Sequence, residues 1–151
     1  MLFNLFVGSG ALIINLGIQV LAVVVLINYF TRRLDTGSYR PVTATDIRLL
    51  SLVILVLFLG HMLQATTWAA LFMWLGEFDD RQTALYHSLV NFTSLGYGDI
   101  VMSEQRRLLG AMEAANGVLM FGLSAGSILS VMNRIFARQL QERTGREIKL
   151  D

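Results

Sequence analysis

The chain has 151 residues, of which 54% are hydrophobic and 15% charged, and its net charge is +1. That balance is too apolar and too sparsely charged for an ordinary water-soluble domain, so a single membrane domain is expected and a basic nucleic-acid surface is not. There is no cysteine, which excludes disulfides and leaves the redox compartment unread.

Residues 1–30 are almost uncharged and are expected to form a first transmembrane helix, since roughly 20 apolar residues span a bilayer. No basic region or small-residue cleavage site marks a signal peptide, so a retained segment is expected. Asn15 and Gln19 lie four apart on one helical face. Amides in lipid usually bond to a neighbouring helix, and packing is their expected role. Residues 31–48 read as a connector carrying Arg32, Arg33, Arg40 and Arg48 against Asp35 and Asp46, broken by Gly37 and Pro41. Thr45 or Asp46 is the expected cap of the second span, an outer helix over residues 49–76. That span holds His61 and Gln64. A histidine there invites a proton-sensing role, against the plainer reading of a neutral ring bonded to a nearby hydroxyl or amide.

Glu77-Phe78-Asp79-Asp80 is a short acidic turn, with Asp79 or Asp80 as the expected cap of the next helix. Residues 81–93 are too few to cross a bilayer and read as a re-entrant pore helix. Irregular backbone after it is tolerated at membrane depth only when buried in protein or lining water. The stretch that follows is Thr93-Ser94-Leu95-Gly96-Tyr97-Gly98-Asp99. An ion entering a membrane must exchange its water for other oxygens. Consecutive backbone carbonyls supply them if the chain takes alternating, partly left-handed dihedrals, which Gly96 and Gly98 permit.

Ser94-Leu95-Gly96-Tyr97-Gly98-Asp99 resembles the Thr-Val-Gly-Tyr-Gly-Asp signature of tetrameric potassium channels, and the resemblance spans residues 49–136. It implies an all-α membrane protein: three transmembrane helices plus a re-entrant pore helix and selectivity-filter loop, assembled as a homotetramer. The first helix is an addition to the minimal two-helix pattern. By the same resemblance K+ is the permeant ion, and it is held by the carbonyls of Ser94, Leu95, Gly96, Tyr97 and Gly98 and the Ser94 hydroxyl. Ser94 replaces threonine and Leu95 replaces valine or isoleucine. In relatives the aspartate matching Asp99 bonds to a pore-helix aromatic, and alignment places His87 there. A His87–Asp99 pair would raise the histidine pKa and make the filter sensitive to external acid.

The third span, an inner helix over residues 104–136, follows Ser103 as its expected cap. Glu113 within it is an intramembrane carboxylate, expected behind the pore helix and bonded to Thr93, Ser88 or Asn91, with Asn116 in the same network. The resemblance makes Gly117 and Gly122 hinge candidates and lines the cavity with Val118, Phe121, Ala125 and Leu129. Gly122 and Gly126 alternatively form a close-packing pair. Gly122-Leu123-Ser124-Ala125-Gly126 also matches the nucleophile-elbow pattern, but within a helical run and far in the chain from either histidine.

Basic residues concentrate in the connector and in the charged tail, residues 137–151. That bias places both in the cytoplasm, with the filter mouth and the N-terminus outside, in a multi-pass plasma (inner) membrane protein surrounded by lipid. The expected function is passive potassium conduction without enzymatic activity. The alternatives are a less selective cation channel, an intramembrane hydrolase using Ser124, and a non-conducting membrane partner. The first span has no arginine ladder for voltage sensing. The filter itself, pH, tension, lipid or a separate regulatory partner remain open as the gating stimulus.

Overall fold

The computed structural model describes residues 1–34 and 44–144. Four helices follow in order: α1, Leu2–Leu34; α2, Ala44–Trp74; α3, Arg81–Phe92; and α4, Arg107–Thr144. No strand occurs among the described residues. Helices α1, α2 and α4 are each long and apolar enough to cross a membrane, while α3 is 12 residues long. At about 1.5 Å per residue such a helix reaches only part way through a bilayer.

The long helices depart from the expected boundaries: α2 stops at Trp74 and α4 begins at Arg107, while their other ends run further. Helix α1 continues to Leu34 and α2 begins at Ala44, so Thr45 and Asp46 fall inside the first turn of α2 instead of capping it. The Gly37–Pro41 stretch expected to interrupt helix lies outside the described residues. Helix α4 starts at Arg107 and continues through most of the expected tail to Thr144. Residues 145–151 lie outside the described residues.

Helix α1 lies against both α2 and α4. Its buried positions are Asn4, Gly8, Ala11, Asn15, Gln19 and Leu26, one stripe at helical spacing. The opposite face exposes Ile13, Leu16, Val20, Leu21 and Val24, as lipid contact requires. Two apolar clusters hold the bundle. Ala11, Ala65, Trp68, Phe72, Phe92, Leu109 and Met120 form one; Leu26, Val53 and Leu57, with Ile128 and Val131, form the other. Buried polar groups lie between them in the order of the chain: Asn15 and Gln19, His61 and Gln64, Asn116 and Ser124. Asn15 Nδ2 donates to Asn116 Oδ1 at 2.7 Å, and Gln64 Nε2 donates to Gln19 Oε1 at 3.0 Å. The amides of α1 therefore join helices, as their spacing suggested.

Helix α2 ends in a Schellman motif. Gly76 takes φ +76°, its N–H donates to the Met73 carbonyl at 2.9 Å, and Glu77 N–H donates to the Phe72 carbonyl at 3.0 Å. The chain then turns into α3. Asp80 is the residue that caps it, accepting from Thr83 N–H at 2.8 Å and the Thr83 hydroxyl at 2.9 Å. The Thr83 bonds hold the Asp80 carboxyl below its ordinary pKa.

Candidate functional site

Two sets of bonds fold residues 77–106 into a loop that enters and leaves the bundle at one end. Glu77 Oε2 accepts from Ser103 N–H at 2.9 Å, and Glu77 Oε1 accepts from the Ser103 hydroxyl at 2.7 Å. Arg106 Nε pairs with Glu77 Oε1 at 3.1 Å. One carboxylate thus ties the turn before α3 to the segment before α4. Ser103, expected as a helix cap, spends its side chain on Glu77 instead; its carbonyl accepts from Arg106 and Arg107 N–H. Further in, the Tyr86 hydroxyl donates to Asp99 Oδ2 at 2.6 Å, drawing the chain after residue 98 back along α3. Asn4 Nδ2 donates to the Gln105 carbonyl, so α1 begins at this same end.

Between entry and return lies the Ser94–Gly98 segment. Helix α3 closes with a second Schellman pattern: Ser94 N–H donates to the Asn91 carbonyl at 2.8 Å and Leu95 N–H to the Val90 carbonyl at 2.9 Å. Glycine usually fills that left-handed position; here Ser94 does so, with φ +59°. Gly96 and Gly98 follow at φ +57° and +74°. Every second residue from 94 to 98 is therefore left-handed. Ser94, Leu95, Gly96, Tyr97, Gly98 and Asp99 are all exposed in the single chain.

Residues 61–134 match the family model described as an ion channel. The match indicates an ion channel. No curated protein and no solved structure gives a match. The matched residues take in the later part of α2, all of α3, the Ser94–Gly98 segment and most of α4. Helix α1 precedes them.

Behind the exposed segment the helices are closely fitted. Glu113 is fully buried; its Oε2 accepts from Asn91 Nδ2 at 3.0 Å, and Asn91 also donates to the Gly110 carbonyl at 2.8 Å. Asn91 thus bridges α3 to α4, one of the partners expected for Glu113. Gly117, expected as a hinge, lies where α4 touches α3. A Cβ there would fall 1.7 Å from the Phe92 carbonyl oxygen. Gly122 and Gly126, expected as a possible packing pair, have open space in the chain: an added Cβ meets nothing within 4 Å. Val118, Phe121, Ala125 and Leu129 are exposed on α4.

His87 does not bond to Asp99. It follows Tyr86 by one residue, about 100° around the helix, and its ring turns inward against Phe72 and Phe78, at centroid distances of 5.6 and 4.9 Å. It also lines a cavity of about 440 Å³ between α3, Gly96, Gly98 and the start of α4. The expected rise in its pKa is reversed. Burial pushes it down, outweighing the opposing carboxylates of Asp99 and Glu77. The Tyr86 hydroxyl holds Asp99 below the usual carboxylate range, and Asp99 raises the Tyr86 pKa.

An unfolded histidine titrates near 6.5 and folded His87 titrates lower. Its stabilising contribution is complete above that ordinary value and is lost as pH falls through the lowered one. His87→Phe is therefore expected to flatten the fall in melting temperature between about pH 7.5 and about pH 5. Parallel curves for the two proteins would show that His87 plays no part.

Nothing in the sequence marks Trp68 or Glu77 as a partner in these contacts. A tryptophan in an apolar run reads as core. A glutamate in an acidic turn gives no hint of a partner 26 residues away. Ser124 and His61, distant in the chain, are adjacent in space: His61 Nε2 lies 2.9 Å from Ser124 Oγ.

Proposed function

We propose that four copies of this chain form a passive, potassium-selective channel whose filter is built from the backbone oxygens of residues 94–98. The observation that carries this reading is the left-handed backbone at residues 94, 96 and 98. Along an ordinary extended strand, successive carbonyls point to opposite sides. Reversing the hand of every second residue turns them toward one side, giving a ladder of oxygens that can replace a cation's hydration shell. One chain supplies only one wall of such a cage. Tyr97 is 68% exposed and Leu95 55% exposed, and Val118, Ala125 and Leu129 leave an apolar strip of α4 uncovered. Burial of these surfaces by identical copies suits a homotetramer, the arrangement that the resemblance implies. By the excess of basic residues in the connector and tail sequences, the filter mouth and the start of α1 face outward from the plasma membrane.

The Ser124–His61 pair does not favour a hydrolase. Ser124 sits within the unbroken α4 helix, whose internal backbone N–H groups are engaged in the helix and cannot form an oxyanion hole. Its oxygen also accepts from Gln19 Nε2 at 2.9 Å.

Flux from purified protein in liposomes tests the reading. Potassium should pass, sodium should pass far more slowly, and barium should block. Gly96→Ala forces an L residue into φ +57°, at a cost of about 1–2 kcal/mol in every subunit. It is expected to reduce flux to that of empty liposomes. Equal potassium and sodium rates in the wild type would leave a cation channel without selectivity.

A further inference from the structure

Helix α1 makes two separate polar contacts with α4, and they bracket Gly117 and Gly122. At the upper contact, Asn116 Oδ1 accepts from Asn15 Nδ2 at 2.7 Å and from Trp68 Nε1 at 3.0 Å. At the lower contact, Ser124 Oγ accepts from Gln19 Nε2 at 2.9 Å and lies 2.9 Å from His61 Nε2. Gln64 holds the Gln19 side chain from α2 at 3.0 Å. Asn116 and Ser124 are eight residues apart, about 12 Å along the helix.

The two contacts differ in what surrounds them. Asn116 precedes Gly117, which is pressed against the Phe92 carbonyl, so the upper end of α4 is fixed to α3. Below it, Gly122 has open space and the α4 faces carrying Leu119, Leu123 and Leu129 are exposed. Near Ser124, the hydrogen bond from Gln19 and the contact with His61 tie this part of α4 to α1 and α2, above the apolar packing of Ile128 and Val131 on Leu26, Val53 and Leu57. The same region is joined to the filter by rings. His61 packs edge-on against Phe121 at 4.6 Å, and Phe121 packs against Phe92 at 5.7 Å. Phe92 is the last residue of α3, two before Ser94.

We propose that α1 is a gating clamp. Its Gln19, backed by Gln64 and joined by His61, holds the lower half of α4 through Ser124, and making or breaking that contact sets the open–closed equilibrium. The upper contact at Asn116 is the fixed pivot. When α4 swings below Gly117, Phe121 moves with it and carries the change to Phe92 at the root of the filter. The clamp accounts for polar side chains in a helix that lies before the matched pore region. It rests on the channel reading above.

The test uses the full chain in planar bilayers. Gln19→Leu and Ser124→Ala should each shift the ratio of open to closed time by about two- to tenfold, the range for one lost hydrogen bond inside a membrane protein. Unit conductance and reversal potential should stay fixed. The double variant should fall short of the sum of the singles, because the Gln19–Ser124 bond is lost in both. A reversible version guards against misfolding. The chain has no cysteine, so Gln19→His combined with Ser124→Cys would place one thiol and one imidazole beside native His61, a ligand set for zinc. Zinc should drive the open–closed ratio opposite to Gln19→Leu, and a chelator should restore it. Unchanged ratios in both single variants, additive shifts, or zinc acting in the same direction as Gln19→Leu would overturn the clamp while leaving the channel intact. Absence of any cation current from the wild type would instead remove the channel reading and the clamp with it.

Discussion

Gly117→Ala is expected to abolish flux and to lower stability by about 3 kcal/mol, at or beyond the upper end of ordinary overpacking. The added methyl would stand 1.7 Å from the Phe92 carbonyl oxygen and 2.7 Å from its carbonyl carbon. Both obstacles are backbone, so no rotamer change relieves the clash, and either α4 or the end of α3 must move. The end of α3 is the poorer place for movement. Ser94 and Leu95 N–H groups bond to the Asn91 and Val90 carbonyls there, and those bonds set the direction in which the exposed segment starts. Gly17→Ala is the matched control. Its Cβ meets nothing within 4 Å on a lipid-facing part of α1. Alanine there should be neutral or stabilising by up to about 1 kcal/mol through helix propensity. Denaturation in detergent and liposome flux measure both variants. A Gly117→Ala protein with wild-type stability and flux would mean that α3 and α4 do not meet this closely.

Asn116→Leu is expected to have the second-largest effect, a loss of about 2–4 kcal/mol. Asn116 Oδ1 serves two donors from two helices, Asn15 and Trp68. Leucine has nearly the same volume, so little cavity forms; the cost is two N–H groups left without a partner. Each such group costs about 1–3 kcal/mol, less where other groups in the bundle can serve. Asn15→Leu in the same protein removes one of the stranded donors and should recover part of the loss. That recovery, read from unfolding curves of the single and double variants, distinguishes a lost acceptor from lost packing. If the double variant is weaker by the sum of the two, the bond between Asn15 and Asn116 carries none of the effect.

What could be read from the residues depended on how local the cause was. Helix α3 was legible nearly to the residue, since Asp80 caps it and its length excludes a span. The Glu113–Asn91 contact was legible as a class of partner, because a carboxylate in a span must find a donor. Counting along a related motif locates the partner of Asp99 to a turn of helix but not to the side of it. One residue turned the answer from His87 to Tyr86 and reversed the direction of the histidine's pKa. Glu77's hold on Ser103 and Arg106 joins two segments that no periodicity relates. Gly117's role was visible only as a glycine in a helix, since contact with the Phe92 carbonyl is a property of two backbones meeting. Ser94 shows the limit most plainly: nothing in a serine announces that it will occupy the place of a helix-ending glycine.

That serine also bears on stereochemistry. A ribosome writes with one enantiomer, and glycine is its sole achiral letter. A peptide that changes hand at each step, as residues 94–98 do, is half a mirror-image molecule. It can be encoded only by spelling the reversed positions with glycine or by accepting strain at one of them. Here the strain falls on the single reversed position that keeps a side chain, and that side chain carries a hydroxyl.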